Sequence, residues 1–230
     1  MERRFPNRGR RRLYSKLLLQ AKEQGRVTFV PIDPLMQIRA YFDIGGTGAR
    51  ADAFSIWIAR LVGQKINVLD YYEAQGQPLS VHLDWMRSRS WGKAWVILPH
   101  DGAHGDKVFA TSYESAIREA QFDVLVIPNQ GAGAASARIE TAGRHFPRIF
   151  FNADTTEGGR DAIGWYHEKK STDDRNIGLG PNHDWSSHGA DSFGLMCIHY
   201  DQPEMDEPEP ERARYRGRRS RSSSGSWQSA

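Results

Sequence analysis

The 230-residue sequence has a single cysteine, Cys197, and that scarcity removes several classes of protein. One thiol can neither close an internal disulfide nor build a cysteine-based zinc cage, so an intracellular, reducing setting is expected. There is no run of about 18 apolar residues of the kind that spans a bilayer. The Arg-rich first 20 residues lack the apolar segment and small-residue cleavage site of a signal peptide. No G-x-x-x-x-G-K-[ST] string occurs, which excludes a P-loop nucleotide site. No internal repeat is visible. What is present, 39% hydrophobic and 26% charged residues, matches a soluble globular protein with one sizeable core.

The net charge of +3 is unevenly spread. Residues 1–26 hold nine Lys/Arg against two Asp/Glu, residues 201–230 hold six of each sign, and residues 27–200 hold 16 basic against 20 acidic groups. A basic arm on a mildly acidic body fits a protein with a cation site inside and anion contacts outside, and equally fits an ordinary charged tail. After Tyr200 an acidic, proline-rich stretch gives way to an Arg/Ser-rich one, so disorder is expected from about residue 203. The expected organisation is a basic arm (1–26), a folded domain (27–202) and a tail (203–230). Within the arm, residues 14–26 have the spacing of a short helix, with Leu13, Leu17 and Leu18 on one face and Gly25 as its stop.

Residues 27–30 read as a small strand, followed by a proline-punctuated lead-in to residue 34. Residues 38–44, 53–61 and 65–72 read as three strands joined by short glycine-containing turns, hence an antiparallel meander. Residues 79–89 have helical spacing. Residues 94–99 (AWVILP) and 123–128 (DVLVIP) are buried-type strands, and a helix expected over 109–121 between them implies a parallel crossover. Helices are expected over 134–144 and 158–170, with FPRIFFN between them as a loop or edge strand. A final amphipathic helix is expected over 187–199. The fold class is α/β, a mixed sheet flanked by helices.

The stretch that organises the rest is 41–60, YFDIGGTGARADAFSIWIAR, where a strand ends in Asp43 and runs into a glycine turn. Such a turn suits a metal ion or a phosphate. Asp101 follows the strand AWVILP, and Asp191 lies on the last helix. If the first and fourth sheet strands lie side by side, Asp43 and Asp101 meet and the helix can add Asp191. Converging carboxylates repel and carry raised pKa values unless a divalent cation joins them, and oxygen-only ligands select Mg2+ or Mn2+. Two such ions about 4 Å apart can hydrolyse a phosphodiester. Taken singly, each aspartate fits a cap or turn role just as well. His188 lies one helical turn before Asp191 and on the same face. His100 and His104 sit in a turn, where H-x-x-x-H spacing carries no argument for zinc. His183 and His199 complete the late histidines, and Cys197 with Met196 reads as core.

Two family resemblances meet at Asp43. FDIGGTGAR (42–50) resembles the first phosphate loop of sugar kinases in the actin-like superfamily, although a second phosphate loop and the length for two lobes are lacking. A broader resemblance runs over residues 27–200. HDWSSHGADSFGLM (183–196) is similar to the closing motif of the nuclease domain in bacteriophage terminase large subunits. VPIDP (30–34), VLDYYEAQGQPL (68–79) and VILPHDG (96–102) resemble other segments of that domain, in the same order. The resemblance implies a ribonuclease H-like fold using two divalent metals to cut double-stranded DNA during genome packaging in the host cytoplasm. It implies Asp43, Asp101 and Asp191 as the acidic triad and His188 as its support, with Asp184 expected to form a structural turn. The implied partners are DNA, a packaging ATPase domain or subunit, a portal and a small terminase subunit. The chain departs from the motif at Ser192, Gly194 and Leu195, where the family more often has Ala and Arg-Tyr. A sugar kinase and a non-catalytic docking module are the competing readings.

Overall fold

The apolar runs assemble into one seven-stranded mixed sheet in a computed structural model that describes residues 11–33, 35–46, 52–103, 112–169 and 180–201. The first ten residues of the basic arm, the tail from residue 203 and His104 lie outside the described residues. The strands are β1 (Val27–Thr28), β2 (Arg39–Asp43), β3 (Ala53–Val62), β4 (Lys65–Gln75), β5 (Trp95–Leu98), β6 (Val124–Val126) and β7 (Ile149–Asn152), in the spatial order β1-β7-β4-β3-β2-β5-β6. β2, β3 and β4 form the expected antiparallel meander, and β2 pairs β5 in parallel through Arg39↔Trp95 and Tyr41↔Ile97. The first and fourth strands of the sequence reading are therefore neighbours, as the convergence of Asp43 and Asp101 requires.

Six helices cover the sheet: α1 (Ser15–Glu23), α2 (Leu79–Ser88), α3 (Tyr113–Glu119), α4 (Ala134–His145), α5 (Glu157–Trp165) and α6 (Trp185–Asp201). The period-2 alternation of the strands divides the core in two. Tyr41, Trp57, Ala59 and Val68 point to the face covered by α1, α4, α5 and α6. Ala40, Phe42, Ile56 and Ile58 point to the opposite face, against Leu83 and Met86 of α2 and Ile117 of α3. Asp70 is buried on the α2 side. Its carboxylate accepts from Arg89 Nε and Trp91 Nε1, both at 3.0 Å, and has a structural role.

Several expectations are corrected. FPRIFFN is neither loop nor edge. β7 lies inside the sheet, parallel to β1 (Val27↔Phe151) and to β4 (Ile66↔Ile149), because its short apolar run fills a gap between them. The helix expected over 158–170 stops at Trp165, where buried Tyr166 turns to extended backbone beside Tyr14. α6 is not amphipathic, since 13 of its 17 residues are buried between the sheet and the neighbouring helices. Residues 11–26 pack against the domain. Tyr14 is fully buried, and Arg26 Nη1 donates to the carbonyls of Phe146 (2.8 Å) and Ile149 (3.0 Å).

Small residues set how closely α6 approaches the sheet. Trp57 Nε1 donates to the Gly189 carbonyl at 2.7 Å, and a Cβ on Gly189 would lie 2.7 Å from the Tyr71 hydroxyl and 2.9 Å from Ala162 Cβ. Gly189→Ala should therefore lower stability by roughly 1–3 kcal/mol through overpacking. The measurement is the urea unfolding midpoint at unchanged m-value; a midpoint equal to wild type would mean that α6 can shift without cost.

Candidate active site

Asp43 is two residues beyond Tyr41 on β2, so its side chain shares Tyr41's face, the one that α6 covers. Register extends this position across the meander. Asp43 pairs with Ser55 of β3, and Ser55 with Glu73 of β4, which forms a row of polar residues at one end of an otherwise apolar face. α6 meets the row through Ser55, whose hydroxyl donates to the His188 carbonyl at 2.9 Å and lies 2.6 Å from Ser192 Oγ. Asp184 starts the helix: its Oδ1 accepts from the Ser186 N–H (3.0 Å) and hydroxyl (2.6 Å), and its Oδ2 accepts from Asn182 Nδ2 (3.1 Å). Burial acts to raise the Asp184 pKa, but these hydrogen bonds outweigh it and hold the carboxyl below the usual range.

Cap and sheet contacts together fix the rotation of α6, which brings His188 Nδ1 to 3.5 Å from Asp43 Oδ2. The Asp43 carboxylate raises the pKa of His188 against the opposing effect of burial. Asp43 is itself pushed up, chiefly by burial and further by Asp101, while His188 and Arg138 pull it down. One turn along α6, burial and the charge of Asp43 push Asp191 up to about 6. Arg138 of α4 partly offsets this, its Nη1 3.6 Å from Asp191 Oδ1. The guanidinium is anchored by Gln130 Oε1, which accepts from Nη2 at 3.1 Å and from Nε at 3.3 Å. It passes over Gly194, where a Cβ would fall 2.9 Å from Arg138 Cβ.

Asp101 lies in a 3-10 turn (His100–Ala103) directly after β5, exposed to solvent and coupled by charge to Asp43. Among the described residues no group of three or more His, Cys, Asp or Glu side chains is arranged to hold a metal ion. The donor set nevertheless suits a divalent cation. Two buried, mutually repelling carboxylates hold less positive charge than they can use, and their side chains keep 24% and 30% of their surface open, enough for an ion to reach them.

No protein-family model and no curated protein matches this sequence. Solved structures do match. The full-length large terminase of one thermophilic bacteriophage superposes with a TM-score of 0.56 at 13% identity, over 75% of this chain and 42% of that one. The large terminase nuclease of thermophilic phage G20c with bound magnesium gives 0.50 at 13% identity, over 81% and 97%. The large terminase nuclease domain of bacteriophage SPP1 with bound manganese gives 0.50 at 14% identity, over 73% and 88%. The fold is that of phage large-terminase nuclease domains. The terminase-nuclease fold is ribonuclease H-like, with the meander and the parallel strands in the places expected from the sequence. The match spans about two fifths of the first of these terminases.

On this terminase-nuclease fold, Asp43, Asp191 and His188 stand together at one end of the sheet, with Asp101 on the adjoining turn. The histidines separate as well. His199 is a core residue whose Nδ1 lies 2.9 Å from the Tyr41 hydroxyl, whereas the His183 ring is 5.5 Å from that of His188 and its Nε2 3.6 Å from Asp52. Ser192 and Gly194, which depart from the terminase motif, have structural reasons: one bonds Ser55 and the other makes room for Arg138. Sequence reading missed Arg138 and Glu73. Arg138 lies on a helix with no motif, and only register places Glu73 beside Ser55.

Asp191 gives a pH prediction. Below about pH 4 its carboxyl is protonated whether folded or unfolded and has no pH-linked effect. Between there and about 6 the folded protein keeps a proton that the unfolded chain releases, so stability falls as pH rises, and the loss is complete above 6. Asp191→Asn should therefore exceed wild type in thermal midpoint at pH 7.5 in EDTA, with the difference shrinking toward pH 4. Identical midpoints across that range would show that ionising Asp191 costs nothing.

Proposed function

We propose that this protein is a divalent-metal-dependent endonuclease that cuts double-stranded DNA with little base specificity during viral genome packaging. The observation that carries the reading is the pair of buried carboxylates, Asp43 and Asp191, at one sheet end of a terminase-nuclease fold. Asp43, Asp191 and, from the neighbouring turn, Asp101 would hold Mg2+ or Mn2+, with two ions as the expected complement. A bound divalent ion supplies positive charge against the charge that develops on a phosphodiester during hydrolysis.

The protein's own groups do the rest. His188 orients Asp43, Arg138 orients Asp191, and the Ser55–Ser192 contact keeps α6 in register so that both carboxylates face the same volume. Little base specificity follows if contacts go mainly to phosphates. The proposed partners are a packaging ATPase domain or subunit, a portal and a small terminase subunit, in the host cytoplasm. Among the described residues no helix is long and apolar enough to cross a membrane. The sugar-kinase reading needs two lobes and a second phosphate loop, whereas the described residues form one sheet, and we do not retain it.

Plasmid digestion with Mn2+, Mg2+ or EDTA tests the proposal. Asp43→Asn and Asp191→Asn should each lower Mn2+-dependent nicking by about 100-fold or more, and His188→Ala by about 10- to 100-fold. Equal cleavage by the aspartate variants would exclude these residues, and no cleavage by any form would favour a docking module. Because α1 is built into the core, contribution of the basic arm is tested by removing residues 1–10 alone, with a shallower salt dependence of DNA affinity as the expected result.

A further inference from the structure

A second cavity, of about 810 Å3, opens beside the acidic site between α1, α5 and the first turn of α6. Among the described residues that line it, Arg12, Lys22 and Arg160 are basic and Asp161 is acidic, a local positive excess on a body whose residues 27–200 are net negative. Two indoles form its aromatic wall. The Trp165 and Trp185 rings are 6.5 Å apart and 30° from parallel, and the Arg12 guanidinium lies 4.6 Å over Trp165. Arg160 is fixed in place, donating to the Ala153 carbonyl at 2.6 Å and to Thr156 Oγ1 at 3.1 Å.

Trp185 is half exposed and opens the same helix that carries His188 and Asp191. It also lines a neighbouring cavity of about 450 Å3 together with Asp52, Glu73 and His188. One indole is thus a shared wall between the basic cavity and the approach to the acidic site.

We propose that the basic cavity binds an unpaired stretch of DNA strand next to the scissile position, with a base stacked on Trp185 and flanking phosphates held by Arg12, Lys22 and Arg160. The inference rests on the nuclease reading for its biological substrate. Its physical basis is separate: cations track a phosphate backbone and indoles accept any base, which is how strands are held without sequence preference. A protein partner's hydrophobic anchor would want a wall depleted of charge, and here cations surround the indoles. A base inside a paired duplex has no free face to offer, so the concave site selects an unpaired one.

The test uses an oligothymidylate of about 15 nucleotides, within the span one strand-binding fold covers. Binding to the full chain in EDTA is read by indole fluorescence and anisotropy, with thermal midpoints to verify folding. Wild type should bind with quenching. Trp185→Leu should lose the quenching and bind about ten-fold more weakly, and Lys22→Glu should weaken binding and flatten the salt dependence by about one unit of slope. The inference is overturned by no binding to wild type, by variants that bind as wild type does, or by a blunt duplex of equal length that competes as well as the single strand. Mn2+-dependent plasmid nicking on the same preparations separates the two ideas. Nicking without strand binding defeats this inference alone, and strand binding through Trp185 and Lys22 without nicking supports this site while defeating the nuclease reading.

Discussion

The bond from Trp57 Nε1 to the Gly189 carbonyl marks the constraint on which the rest depends: a helix buried on nearly every side must sit very close to the sheet. A buried carbonyl without a donor would cost about 1–3 kcal/mol, so the indole both fills the space and satisfies the backbone. Glycine at 189 permits the approach, and Ser55, bonded to the His188 carbonyl and paired with Ser192, fixes the rotation. With position and rotation both set, His188 meets Asp43, and Asp191 follows one turn later. The chemistry of the site is a consequence of how α6 is seated.

Seating the helix this way brings like charges together out of water. His188 and Arg138 offset only part of the repulsion, and Asp191 remains pushed up to about 6. Functional sites commonly carry such a cost because the group that relieves it is the ligand itself. The same consideration separates Asp70 from Asp43. Both are low in exposure, but Asp70 is satisfied by Arg89, Trp91 and the Tyr71 N–H, leaving nothing for a ligand to supply.

Much of this was legible in the residues. Apolar runs bounded by turns located six of the seven strands, and the short links between three of them dictated the meander. β7 was misread because IFFN follows Pro147 and is only four residues long, so nothing local distinguishes an inner strand from an edge; the partners that make it internal lie at Val27 and Ile66. α6 was read as amphipathic although burial on all sides leaves no polar stripe, and its scattered serines serve buried bonds. The position of Asp43 was visible as a strand-end carboxylate, and the pairing of β2 with β5 was anticipated. Arg138 was invisible for a physical reason. It reaches Asp191 from a different helix, and no spacing rule connects the two.

The claim that a divalent cation belongs between Asp43 and Asp191 is tested most directly by locating the ion. Crystals of the protein soaked in Mn2+ should give an anomalous difference peak within bonding distance of both carboxylates, with the Arg138 guanidinium moved off Asp191. A map with no peak there, or with manganese only at His183 and Asp52, would contradict the account.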